Sequence, residues 1–87
     1  MAYSVSIKKS AIKALEQLPK ADRLRVIEVI DGLQIDPYSG ALLKGDLSGL
    51  RRVRVGSYRV VYEVFETQLT ILVVRLGHRR DIYRAYP

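Results

Sequence analysis

Between Leu50 and Glu63 the chain reads LRRVRVGSYRVVYE, an alternation that leaves few options for the local fold. Val53, Val55, Tyr58, Val60 and Tyr62 are β-branched or aromatic, and they alternate with arginines on either side of Gly56-Ser57. A period of two around a two-residue Gly-X turn predicts a β-hairpin with a primed turn. Counting outward from the turn sets Val55 opposite Tyr58, Arg54 opposite Arg59, Val53 opposite Val60 and Arg52 opposite Val61. One face then carries Val53, Val55, Tyr58, Val60 and Tyr62, which suits a core. The other gathers Arg52, Arg54 and Arg59. Like charges facing one another weaken a strand pair by up to about 1 kcal/mol, so three guanidinium groups on one face point to an anion that offsets the repulsion. The plainer reading of the same residues is a solvated basic face that discourages edge-to-edge association. The rest of the chain bears on that choice.

At 87 residues the sequence has room for a single domain with one modest core. Its 48% hydrophobic and 28% charged residues are those of an ordinary folded protein. The absence of cysteine excludes a disulfide framework and thiol chemistry. One histidine, His78, leaves no recognisable ligand set, so neither a metal nor a cofactor is expected. The opening MAYSVSIKKS lacks the apolar centre of a signal peptide, and no stretch approaches the roughly 20 apolar residues of a membrane span. A soluble cytoplasmic protein without a membrane partner is expected. The unusual global number is a net charge of +6, with eight of the ten arginines between Arg51 and Arg84. Such a bias predicts a polyanion or an acidic protein as partner. Arginine in place of lysine favours forked recognition of phosphate.

Tyr3 to Ile7 alternates and predicts a first strand. From Lys8 to Leu18 the period changes, with Ala11, Leu15 and Leu18 at helical spacing and Ile12 widening the stripe. Pro19 stops that helix and opens a second, from Lys20 to about Leu33, whose stripe is Leu24, Ile27, Ile30 and Leu33, joined by Val26. Pro37 to Gly49 has no clear period and reads as an ordered covering loop, with Leu42, Leu43 and Leu47 tucked against the core. Leu69 to Leu76 is a nearly continuous apolar run and predicts a central strand. The order β-α-α-β-β-β over residues 1–87 makes one α+β domain: a small twisted, mainly antiparallel sheet with an N-terminal helical hairpin on one face. The opposite face is left for the arginines.

After that strand, Arg75, Arg79, Arg80 and Arg84 interleave with His78, Tyr83 and Tyr86. Guanidinium forks beside aromatic rings suit single-stranded RNA, although a basic tail and a lone histidine are commonly plain surface. If the last strand pairs with the strand holding Arg59, then Gly77-His78-Arg79 leaves the sheet near the arginine face. Arg52, Arg54, Arg59, Arg79, His78 and Tyr83 would then surround one groove. The sequence offers no carboxylate pair, no Ser-His-Asp or Cys-His pattern and no glycine-rich phosphate loop, which argues against glycosidase, metallonuclease and nucleotide-loop chemistry.

The runs LKGDLSGLRRVRVGSYRVVYEV and ILVVRLGHRRDIYR, with the opening strand and the proline-centred helical pair, resemble the RelE branch of the RelE/ParE toxin superfamily. The resemblance spans nearly the whole chain. It implies a small sheet flanked by helices and a toxin that cleaves mRNA, typically in the ribosomal decoding site, without metal or cofactor. The 2′-hydroxyl attacks the adjacent phosphate and leaves a 2′,3′-cyclic phosphate. It also implies a cognate RelB-like, acidic antitoxin as partner, with operator DNA reached only through the antitoxin complex. By motif, the two basic residues before the turn are Arg52 and Arg54, the arginine after the turn tyrosine is Arg59, the basic residue after Gly-His is Arg79, and the late tyrosine is Tyr83. Arg51, Arg80 and Arg84 are expected as further RNA contacts. Well-understood members carry lysine where Arg52 and Arg54 stand, and arginine cannot serve as a general base. The proton acceptor therefore comes from Tyr83, His78 or solvent. A histidine side chain has an unperturbed pKa of about 6.5, near working pH, whereas a tyrosine, at about 10, needs lowering by neighbouring arginines. The alternatives are a ParE-like toxin that inhibits DNA gyrase by binding, without nuclease activity, and a degenerate member that binds RNA or antitoxin and cleaves nothing. The pairing of Arg52 and Arg54 with Tyr83 favours RNA chemistry.

Overall fold

The computed structural model describes residues 2–78, so Arg79, Arg80, Tyr83 and Arg84 lie outside the described residues. The elements in order are β1 (Ser4–Ile7), α1 (Lys9–Glu16), α2 (Lys20–Gly32), β2 (Ala41–Leu42), β3 (Arg51–Val55), β4 (Tyr58–Phe65) and β5 (Thr70–His78), with a 3-10 turn at Gly45–Leu47. The five strands form one sheet in the order β1-β5-β4-β3-β2. β1 lies parallel to β5, and the other three pairings are antiparallel. The helical pair carries the chain from one edge of the sheet to the other, and the meander β2-β3-β4-β5 brings it back. The fold is α+β in the expected order, with a two-residue strand added inside the segment read as a covering loop.

The hairpin has the register that counting from the turn requires: Val55 with Tyr58, Arg54 with Arg59, Val53 with Val60 and Arg52 with Val61. Gly56 holds φ at 59°, while Ser57 is outside the left-handed region. Glycine alone with positive φ at the first central position is the type II′ pattern, whose twist matches the strands it joins.

Apolar side chains of the sheet's inner face (Val55, Val60, Tyr62, Ile71, Val73 and Leu76) pack against Ala11 and Leu15 of α1 and Val26, Ile30 and Leu33 at α2. Of the expected α2 stripe, Val26, Ile30 and Leu33 are buried, while Leu24 and Ile27 are 55% and 38% exposed. Two apolar series run through that helix at permitted spacings, and contact with the sheet selects the one centred on Val26 and Ile30. Tyr62 is fully buried, and its hydroxyl donates to the Pro37 carbonyl at 2.8 Å and accepts from the Gly40 amide at 3.0 Å.

A second, smaller apolar cluster sits on the other side of the sheet, where Leu50 and Val61 are covered by Leu43, Leu47 and Val74. That face is therefore partly closed by the β2-β3 connection. Leu43 and Leu47 tuck there, whereas Leu42 is 58% exposed. Val74 joins this cluster because a bulge in β5 places Arg75 opposite Val61 and Val73 opposite Tyr62, leaving Val74 as the extra residue. No helix among the described residues is long and apolar enough to cross a membrane.

Candidate functional site

Alternation along β3 and β4 sends Arg52, Arg54 and Arg59 to the face away from the helices, beside the small cluster around Val61. Two rows cross the sheet there. Arg54, Arg59 and Gly77 are successive partners on β3, β4 and β5, and Arg52, Val61 and Arg75 form the row below. Arg54 is exposed and Arg52 half-buried. Arg59 is 9% exposed, and its Nη1 is buried with no hydrogen-bond partner among the described residues. A buried donor without an acceptor forfeits about 1–3 kcal/mol, and a charged one more. None of the three forms an ion pair among the described residues.

The electrostatics follow from the packing. Three guanidinium groups are held within two rows of one sheet, and buried Val61 with its apolar cover lies beside the deepest of them. Excluding water there strengthens the interaction of Arg59 with an incoming anion. Planar forks at fixed positions suit a phosphodiester, whose oxygens accept paired N–H bonds. Among the described residues no group of three or more histidine, cysteine or acidic side chains has the arrangement of a metal site.

His78, expected at this face, is elsewhere, as is Arg51, expected as a further RNA contact. His78 pairs with Tyr58, and its ring meets the Tyr58 ring edge-on at a centroid distance of 6.2 Å. Tyr58 belongs to the helix-bearing face, where its hydroxyl donates to Asp22 Oδ2 of α2 at 3.1 Å. Burial first, and then the Asp22 carboxylate, push the Tyr58 pKa up. His78 thus turns away from the arginines, because β5 continues through Gly77 and His78 instead of leaving the sheet before them. Arg51 pairs with Tyr62, so it too takes the helix side. Its Nη1 donates to the carbonyls of Gly40 at 2.8 Å and Tyr38 at 3.4 Å, and its guanidinium stands 4.9 Å from the Tyr38 ring centroid. That arginine fastens the segment after α2 to the sheet. Arg79, Arg80, Tyr83 and Arg84 lie outside the described residues.

Arg75, read with the basic C-terminal segment, and Gly77, read as leaving the sheet near the arginine face, join the two rows, although neither was counted among the residues around the groove. The register of β5 would have found them, but the bulge at Val74 breaks the count from the apolar run.

The model of the ParE toxin of type II toxin–antitoxin systems (parDE) matches residues 5–83. The chain is 34% identical over 86 residues to toxin RelG of Mycobacterium tuberculosis, covering 97% of this chain and 99% of that protein. Its fold superposes on the toxin–antitoxin complex RelBE2 of the same organism with a TM-score of 0.84, at 28% identity over 91% of this chain and 100% of that one. The archaeal RelE–RelB complex of Pyrococcus horikoshii gives a TM-score of 0.76 at 37% identity, over 98% and 100% of the two chains.

Proposed function

This chain belongs to the RelE/ParE superfamily of toxins from type II toxin–antitoxin systems, and from that premise we propose that it is an endoribonuclease cleaving mRNA in the ribosomal A site. The observation that carries the reading is Arg59, a cation buried to 9% exposure with an unpartnered Nη1 on a face shared with Arg52 and Arg54. A fold retains such a group at a loss in stability where the missing acceptor is supplied by a ligand.

In the proposed reaction the 2′-oxygen attacks the adjacent phosphorus, and the bond from phosphorus to the 5′-oxygen breaks. The products are a 2′,3′-cyclic phosphate and a free 5′-hydroxyl. Arg59, together with Arg79, neutralises the charge that builds on the pentacovalent phosphate. Arg52 and Arg54 hold the backbone so that attacking and leaving oxygens align. The 2′-hydroxyl proton passes to Tyr83 or to solvent, and the leaving oxygen takes one up. His78 has no part in this reading, since its ring lies on the other face. The guanidinium groups supply the positive charge, so the reaction calls for no metal. The partner is an antitoxin of the RelB kind, as in the RelBE2 and RelE–RelB complexes whose toxins share this fold; the basic face calls for an acidic one, and charge complementarity guides its association.

The test is cleavage of mRNA on programmed ribosomes and free in solution, with cuts mapped by primer extension. Cuts on the ribosome that vanish with Arg59→Ala support the reading. Cuts on free RNA retain the nuclease and remove the ribosome. A second reading, inhibition of DNA gyrase by binding, is favoured by the ParE description of the matching family; blocked supercoiling with mRNA left intact would establish it instead.

A further inference from the structure

The fold does not require a glycine at position 77. Its backbone is outside the left-handed region, which Gly45, Gly49 and Gly56 occupy. A Cβ placed there meets no described atom within 4 Å. Gly40 makes the contrast, since a Cβ there would lie 2.5 Å from the Tyr62 hydroxyl and 2.7 Å from the Arg52 carbonyl oxygen. Gly32 also has open space, but it is the exposed last residue of α2, and helix C-termini commonly carry glycine. Gly77 instead lies inside a nine-residue strand. A glycine there weakens the strand and contributes no packing, and it often marks the close approach of a ligand or another backbone.

Its place in the ladder identifies what approaches. Gly77 is the β5 partner of Arg59, and Arg54 is the β3 partner. A side chain at position 77 would rise from the arginine face beside the buried guanidinium, while the opposite flank is already occupied by Arg54. We infer that Gly77 is an open notch in the arginine face through which the RNA phosphodiester backbone reaches hydrogen-bonding distance of Arg59. This inference rests on the nuclease reading above. Gly77 carries no charge and moves no proton; it is a positioning residue that acts by leaving space.

The test compares Gly77→Ala, Gly77→Val and Gly77→Leu with wild type and Arg59→Ala, reading thermal stability together with kcat and KM for mRNA on programmed ribosomes. All three Gly77 variants are expected to melt at or above the wild-type temperature, because the added Cβ meets no described atom within 4 Å and a side chain suits a strand better than glycine does. Their kcat/KM should fall stepwise with side-chain size, from about tenfold for alanine to about 10²-fold for valine and leucine, the loss expected when reacting groups are held roughly 1 Å out of place. The pH profile should keep its shape, since no titrating group has changed. Wild-type cleavage across the Gly77 series, beside an inactive Arg59→Ala, overturns the inference and leaves the nuclease standing. A lowered melting temperature for Gly77→Ala also overturns it, because the fold would then need the glycine. Wild-type protein that cuts no RNA removes the nuclease reading and the inference with it.

Discussion

Arg54 and Arg59 are direct partners across the β3-β4 ladder, one exposed and the other nearly closed off, and neither forms an ion pair among the described residues. The pair opposes the folding of the hairpin that carries it. Arg59→Met, which keeps the stem and removes the charge, is expected to stabilise the protein by about 1–3 kcal/mol. The same change should lower cleavage by about 10²–10³-fold. Urea denaturation beside the ribosome assay checks both, and a lowered urea midpoint would show that the buried guanidinium is satisfied after all.

Alkaline pH should destabilise the protein through its tyrosines. Burial raises the pKa of Tyr62, and burial with the Asp22 hydrogen bond raises that of Tyr58. Each folded value exceeds the ordinary value of about 10, so the folded chain keeps protons that the unfolded chain releases. Their stabilisation is complete below pH about 10 and is lost as pH rises through the folded values. Stability measured from pH 8 upward in urea should therefore stay level with respect to these groups and then decline. Tyr58→Phe should make that decline shallower. An unchanged slope would mean that Tyr58 titrates alike in both states.

Gly40→Ala should cost about 1–3 kcal/mol as an overpacking change. Its Cβ would press on the Tyr62 hydroxyl and on the Arg52 carbonyl, so either the buried tyrosine or strand β3 has to shift. Gly77→Ala is the internal control, with no described atom in its way. Equal urea midpoints for the two variants would contradict the difference in packing.

Leu69, in the turn between β4 and β5, holds φ at 51° and is 38% exposed. A left-handed conformation costs a side-chain-bearing residue roughly 1–2 kcal/mol. Leu69→Gly removes that strain but increases the freedom of the unfolded chain, so a net gain of up to about 1 kcal/mol is expected. A loss on thermal denaturation would mean that the leucine side chain contributes more by packing than its backbone loses by strain.

How much of this could be read beforehand depended on the element. The hairpin was legible to the register, because its turn has two residues and alternation leaves one arrangement that turns Val53, Val55 and Val60 to the core face. Strand β2 was not, since Ala41-Leu42 is too short for any period and exists only by pairing with Arg51 and Arg52. In the α2 stripe Val26, Ile30 and Leu33 are buried as expected, whereas Leu24 and Ile27 have the spacing of a core without its contacts. Within the site, Arg52, Arg54 and Arg59 came together as alternation required. His78 did not join them: two more residues in strand β5 fix its side, and a run of apolar residues does not say where pairing stops. Arg51 shows the same limit, since its sequence neighbours look alike while its partner is the Gly40 carbonyl.

The parallel pairing of β1 with β5 has a consequence for synthesis. Ser4 to Ile7 find their partners at Thr70 to Val73, so residues 8–69 intervene between the two halves of that contact. Contacts so distant in sequence form late, and during translation β1 must wait until β5 has emerged. Gly77, beside Arg59, is made later still. On the nuclease reading proposed above, the arginine face is complete only after β5 has been made.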